Sequence, residues 1–78
     1  MMPLTLVTPG EDVQLMAIHG GHHIRQRLAD LGLTPGVELR VIQSAMNGPL
    51  IVGLRNDSRL VLGRGMAHRM YVQPVTPA

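Results

Sequence analysis

The chain of 78 residues contains no cysteine, phenylalanine or tryptophan, and it contains a single tyrosine. Without cysteine the protein forms neither disulfides nor thiolate metal sites, which excludes zinc fingers and fits a reducing cytosol. Without phenylalanine and tryptophan the core must be aliphatic, and some of the six methionines are expected to fill its irregular gaps. Grooves for proline-rich peptides and platforms for single-stranded nucleic acid are built from aromatic side chains, so the composition argues against both functions.

Charge and long apolar runs are also scarce. Charged residues make up 15% of the chain, and the formal net charge is +2. All the basic residues are arginines, and they are spread along the sequence rather than clustered as in a polyanion-binding face. The apolar runs 4–7 and 49–54 are far shorter than the roughly 20 residues of a membrane-spanning helix, and the first residues lack the pattern of a secretory signal. We therefore expect one soluble, cytoplasmic domain over 1–78, with no nucleic acid partner and no membrane insertion.

The stretch from Arg27 to Gly36 is the most informative part of the sequence. Gly32 follows a short helical pattern at the position of a left-handed C′ residue, and Leu33 can pack back onto Leu28, as in a Schellman motif. Pro35-Gly36 then provides the two central residues of a type II turn. The sequence therefore predicts a helix that ends before Gly32, a tight turn, and a strand that begins at residue 37.

Short apolar stretches separated by turn residues run along most of the chain. Ile24, Leu28 and Leu31 lie on one face of a predicted helix of about ten residues. Asn56-Asp57 suits a tight hairpin, because both residue types tolerate the left-handed conformation. The pattern predicts strands over 13–18, 37–43, 50–55, 59–62 and 70–73, one helical turn within 63–69, and a loose C-terminal tail over 74–78. Together these elements indicate a mainly β fold, a small SH3-like five-stranded barrel with one short inserted α-helix.

The residues that commonly carry catalysis are not arranged for it. Ser44 and Ser58 fall in predicted loops without a Gly-x-Ser-x-Gly elbow, and the chain has no cysteine nucleophile. Gly20-Gly21 precedes the predicted helix but lacks the Gly-Lys-Ser/Thr ending of a phosphate-binding loop. We therefore expect no enzymatic activity and no cofactor.

Three histidines form the sharpest candidate for a metal site. His19, His22 and His23 lie within five residues, and first-row transition metals favour imidazole ligands. On a regular helix, however, His22 and His23 would point about 100° apart, so a shared ion would require an irregular entry into the helix. We interpret the three as solvated polar residues and assign no metal site, although weak metal binding by them stays open.

The order of several motifs resembles the family of ferrous iron transport protein A (FeoA). The resemblance covers nearly the whole chain, and its most specific part is the Leu-Gly-Leu-x-Pro-Gly turn within the block from Arg27 to Gly36. The other motifs that carry it are Met2-Pro3-Leu4, Gly10-Glu11, Ile18 with Gly20-Gly21, Asn47-Gly48-Pro49 and the ending Ala67-His68-Arg69-Met70-Tyr71-Val72.

The resemblance implies an SH3-like fold and a non-enzymatic, cytosolic accessory role beside FeoB, a membrane ferrous iron permease with a GTP-binding domain. It implies no catalytic residues. Similar SH3-like modules form the C-terminal part of iron-dependent repressors of the diphtheria toxin repressor type, although this chain has no room for their DNA-binding winged helix. A small transition-metal-binding or iron-sensing module is therefore the alternative function.

A docking surface for the permease would need exposed, adaptable apolar side chains. The hypothesis assigns this role to the helix residues Leu28 and Leu31 with Met46 at a loop tip, and places Arg27 at the rim, where its charge would orient a partner. Leu28 and Leu31 are first of all part of the core stripe of the helix, because so short a helix needs tertiary contacts, and the docking role is the alternative interpretation. Self-association of the chain also stays open.

Overall fold

The computed structural model describes residues 1–75, and strands are the commonest regular element among them. The elements in chain order are β1 (Met2–Pro3), a 3₁₀ helix (Leu4–Leu6), β2 (Asp12–Ile18), α1 (His22–Asp30), β3 (Glu38–Ser44), β4 (Leu50–Leu54), β5 (Arg59–Leu62), α2 (Arg64–Ala67) and β6 (Met70–Pro74). The five predicted strands and the inserted helix are all present, and the strand bounds agree within one residue at each end. The mainly β prediction is therefore confirmed.

The structure adds a sixth strand that the sequence pattern missed. Met2 and Pro3 pair with Val72 and Tyr71 of β6, and the following Leu4 is completely buried. A two-residue strand is too short to show alternation, and its partner lies at the other end of the chain. Pro3 is tolerated because β1 is an edge strand, where a missing N–H does not break a ladder.

The strands surround one aliphatic core. Within residues 1–75 they form a single antiparallel sheet in the order β1-β6-β2-β3-β4-β5. The register shifts between Leu15 and Ala17 in β2 and between Val41 and Gln43 in β3, and such bulges bend strands. The buried side chains are Leu4, Val7, Val13, Leu15, Ile18, Leu28, Leu33, Leu39, Val41, Leu50, Val52, Leu62, Ala67, Met70 and Val72. The expectation of an aromatic-free core is confirmed for the described residues.

The helix α1 ends in the predicted Schellman motif. Gly32 has a φ of +88°, its N–H donates to the Ala29 carbonyl at 2.9 Å, and the Leu33 N–H donates to the Leu28 carbonyl at 2.8 Å. The side chains of Leu28 and Leu33 are both fully buried. These two hydrogen bonds, together with apolar residues at the two positions that pack against each other, define a Schellman motif.

The Pro35-Gly36 turn joins the helix end to the sheet. The Val37 N–H donates to the Thr34 carbonyl at 3.1 Å, and Gly36 has a φ of +100°, as a type II turn requires. Backbone hydrogen bonds then link Gly36 N–H to the Leu15 carbonyl at 2.7 Å and Leu15 N–H to the Val37 carbonyl at 2.8 Å. The turn is therefore fixed to β2 before β3 begins.

The hairpin between β4 and β5 also follows its sequence signal. Asp57 is the residue with a left-handed φ, +68°, and the Leu54 N–H donates to the Ser58 carbonyl at 2.9 Å. The Asn56 side chain accepts a hydrogen bond from the Ser58 N–H at 3.1 Å. These contacts close the turn without glycine.

The sequence predicts a loose C-terminal tail over 74–78. Pro74 still belongs to β6, opposite Val13, and the Val75 N–H donates to the Asp12 carbonyl at 3.1 Å. The rest of the expected tail, 76–78, lies outside the described residues.

The left-handed conformation of Gly32 leads to a paired stability prediction. Gly32→Ala should lower the free energy of unfolding by about 1–2 kcal/mol, because an L residue resists this φ. The cost should come from the backbone, since the added Cβ would lie 3.8 Å from Leu54 Cδ1, an ordinary contact. Gly65→Ala, the same change inside α2, should instead be neutral or stabilising by up to about 1 kcal/mol. Urea denaturation of both variants measures the difference, and equal midpoints would contradict it.

Candidate functional site

The loop between β3 and β4 carries an exposed apolar side chain at its tip. Met46 lies at its tip and is 89% exposed, the highest value among the large hydrophobic residues within 1–75. Methionine is flexible and polarisable, so an exposed methionine adapts well to a protein partner. The exposure that the docking hypothesis requires of Met46 is therefore present, and its role in binding a partner stays a prediction.

An arginine that the sequence analysis did not single out holds this loop. Arg64, the first residue of α2, donates from Nε to the Gly48 carbonyl at 3.1 Å and from Nη2 to Ser44 Oγ at 3.2 Å. Nη2 also donates to the Ala45 carbonyl. Arg64 is separated from these acceptors by 16 to 20 residues. Because the acceptors are so distant in sequence, no local pattern indicates this contact.

The helix residues of the docking hypothesis divide into two groups. Leu28 is fully buried, so its side chain belongs to the core and its assignment to a partner surface is wrong. The cause is the helix stop, which turns Leu28 towards Leu33 inside the barrel. Leu31, one turn later, is 43% exposed, and Arg27 is exposed as well. These two remain available at the C-terminal end of α1.

The structure does not bring Leu31 and Met46 together. Gly32, next to Leu31, approaches Leu54, which pairs with Leu39 near the start of β3. Met46 follows the other end of this ribbon, where Ser44 pairs with Leu50. A seven-residue strand spans about 20 Å. The two apolar groups therefore belong to opposite ends of the β3–β4 ribbon and do not form one patch.

The histidines are not arranged as a shared metal site. The ring of His19 stacks on Tyr71, with centroids 4.1 Å apart and a tilt of 32°. The rings of His22 and His23 are 6.3 Å apart and turned edge to face. Within residues 1–75, no group of three or more histidine, cysteine, aspartate or glutamate side chains is placed to hold a metal ion. The absence of a high-affinity site stays a prediction.

Ion pairs flank a shallow cleft on the outer face of β3 and β4. Gly53 forms part of the cleft beneath the Ile42 side chain. Arg40 donates two hydrogen bonds to the Asp12 carboxylate, at 2.7 and 3.0 Å, and these lower the pKa of Asp12 below its ordinary value. Arg55 pairs with Glu38 at 2.9 Å. Because Asp12 lies opposite Arg40 in the β2–β3 register, the first pair serves cross-strand pairing.

These features define a small SH3-like β-barrel domain. A family model described as the FeoA domain matches residues 2–74. The chain therefore belongs to the FeoA family of ferrous iron transport, as the motif resemblance predicted.

Solved structures agree with this assignment. A crystal structure of an iron uptake regulatory protein (FeoA) is 36% identical, with 95% of this chain and 97% of that chain covered and a TM-score of 0.88. The solution structure of the FeoA protein from Chlorobium tepidum is 28% identical, with 96% and 71% covered and a TM-score of 0.83. Comparison with curated protein sequences gives no significant match.

A manganese-dependent transcriptional repressor in complex with manganese shares the fold. It has a TM-score of 0.86 at 19% identity, and the match covers 94% of this chain but 36% of the repressor. The likeness supports the SH3-like fold and carries nothing about metal binding here. No helix within residues 1–75 is long and apolar enough to cross a membrane.

The burial of Leu28 predicts a large loss of stability on truncation. Leu28→Ala should lower the free energy of unfolding by about 2–5 kcal/mol, because it leaves a cavity beneath the helix. Leu31→Ala, three residues further and 43% exposed, is the matched control and should cost far less. Equal unfolding midpoints for the two variants would contradict the assignment of Leu28 to the core.

The divergence of the histidine rings predicts weak iron binding. The wild-type protein should show no submicromolar dissociation constant for Fe(II) when it is titrated anaerobically in a calorimeter. The triple variant His19→Ala, His22→Ala, His23→Ala should behave like the wild type. Submicromolar binding that disappears in the triple variant would show that these rings rearrange into a metal site.

Proposed function

We propose that this FeoA-family protein is a non-enzymatic, cytoplasmic accessory protein of ferrous iron uptake, and that it docks on a FeoB-type permease through the loop that carries Met46. The family match over residues 2–74 supports the pathway, and the exposure of Met46 is the observation that supports the surface. The permease is the partner that the family resemblance implies, and the proposed contact is with the permease or its GTP-binding domain.

The loop suits docking because its tip carries an exposed apolar side chain and its backbone is held in place. Most exposed side chains on a mobile loop lose conformational freedom when a partner covers them, which reduces the gain from burial. Here the backbone on both sides of Met46 is hydrogen bonded to Arg64. Burial of a methionine side chain in a partner pocket contributes about 1.5–3 kcal/mol.

The exposed end of α1 is a second, smaller contact in this proposal. Leu31 offers less apolar surface than Met46, and the neighbouring Arg27 supplies a rim charge. Charges at the rim of an interface act mainly on the association rate and on its salt dependence. We therefore expect this end to contribute less affinity than the loop.

The alternative function, a metal-binding or iron-sensing module, lacks an observation that favours it. The histidines diverge, and the likeness to the manganese-dependent repressor concerns the fold. The Fe(II) titration described above separates it from the docking function.

Charge placed at the loop tip tests the docking surface. Met46→Asp should weaken binding to the purified permease at least tenfold, because docking would desolvate an unpaired carboxylate. Stability should change by less than about 0.5 kcal/mol, since the position is exposed. Leu31→Asp should weaken binding less. Equilibrium binding to the permease in detergent, with variants first shown to be folded, measures all three.

Val61→Asp is the matched control. Val61 is 68% exposed but belongs to β5 rather than to either proposed contact, so this variant should bind like the wild type. Unchanged affinity of a folded Met46→Asp variant would exclude the loop as the docking surface. A wild-type protein that does not bind the permease would overturn the proposed function itself.

A further inference from the structure

The loop that carries Met46 is weakly closed by its own backbone. Within residues 1–75, the backbone hydrogen bond that spans the turn runs from Gly48 N–H to the Ala45 carbonyl at 3.4 Å. This distance is longer than the 2.7–3.2 Å of ordinary N–H···O bonds. The conformation of residues 45–48 therefore depends on contacts from outside the loop.

Arg64 supplies those contacts from a fixed position. Its guanidinium reaches three acceptors, one on each side of the turn and one on the Ser44 side chain. The planar fork of arginine can serve several acceptors at once, which the single ammonium of a lysine does less well. Arg64 begins α2, which is anchored by the buried Ala67, whose N–H donates to the Gly63 carbonyl at 3.0 Å.

The charge of Arg64 is directed at neutral oxygen atoms rather than at a carboxylate. Neither of the ion pairs found within residues 1–75 involves it. Hydrogen bonds from a charged donor are shorter and stronger than neutral ones, so this side chain is a strong tether for two backbone carbonyls. The tether leaves the Met46 side chain free, since that side chain stays 89% exposed.

We propose that Arg64 is a positioning residue for docking: it holds residues 45–48 so that Met46 is presented to the partner in its binding conformation. The inference rests on the proposed function and names the group that prepares its surface. A partner then binds a loop that has already lost most of its freedom, which raises affinity without a new contact.

The first experiment measures the loop in the free protein. Amide hydrogen exchange of residues 45–48 should be at least about fivefold faster in Arg64→Ala than in the wild type. In the wild type, opening of the loop must break the hydrogen bonds to Arg64, and in the variant these bonds are absent, so the loop opens more often. Arg64→Lys should lie between the two. Arg59→Ala removes the same charge from an exposed position on β5 and should leave loop exchange unchanged.

The second experiment is a double-mutant cycle on binding to the purified permease. Arg64→Ala should lower affinity about fivefold or more in the wild-type background and should have little effect in the Met46→Ala background, because the two residues act through one contact. Arg64→Lys should recover part of the affinity. Arg59→Ala should bind like the wild type, which separates positioning from electrostatic steering.

Four other results would contradict the proposed role of Arg64, each at a different step. Unchanged loop exchange in Arg64→Ala would show that the tether does not order the loop. Faster exchange with unchanged affinity would show that loop order does not matter for docking. An equal loss of affinity in both Met46 backgrounds would show that Arg64 acts independently of Met46. Failure of the wild type to bind would instead overturn the proposed function, and this inference with it.

Discussion

The burial of Leu28 in the aliphatic core is the interaction on which the attachment of α1 depends. A helix of nine residues is marginal in water, and Leu28 is the buried side chain within it. The left-handed Gly32 turns the chain so that Leu33 joins Leu28 in the core, and the Pro35-Gly36 turn then fixes the chain to β2. Leu28 is fully buried and Ile24 packs partly against the core, so the other residues of α1 stay exposed.

The aliphatic core also limits how this barrel can recognise other molecules. The described core contains leucine, valine, isoleucine, alanine and methionine, and Tyr71 is half-buried with its ring against His19. No aromatic groove for a proline-rich peptide is formed by the described residues. Among the large apolar side chains outside the core, Met46 is the most exposed within residues 1–75.

The parts of the fold that follow from local sequence were predictable, and the parts that depend on distant contacts were not. Gly32, Gly36 and Asp57 adopt left-handed conformations where their turns require them, and those signals lie within a few residues. The strand β1 depends on β6, and the Arg64 tether crosses 16 to 20 residues, so no local pattern reports either. The apolar periodicity places Leu28 and Leu31 on one face of the helix. It does not predict that Leu28 is buried and Leu31 is partly exposed, because this difference depends on how the helix ends.

The small size of the domain limits the area of any interface that it can form. A stable interface of standard size covers about 800 Å² on each partner, a patch roughly 30 Å across. The whole described domain measures 33 × 29 × 24 Å, so such a patch would cover most of one face of it. A contact through the loop alone is much smaller and belongs to the class of weak, transient interfaces. In such a small interface, the free-energy cost of ordering a mobile loop is a large fraction of the binding free energy. A loop that is already ordered before binding avoids this cost, and few other contacts could compensate for it.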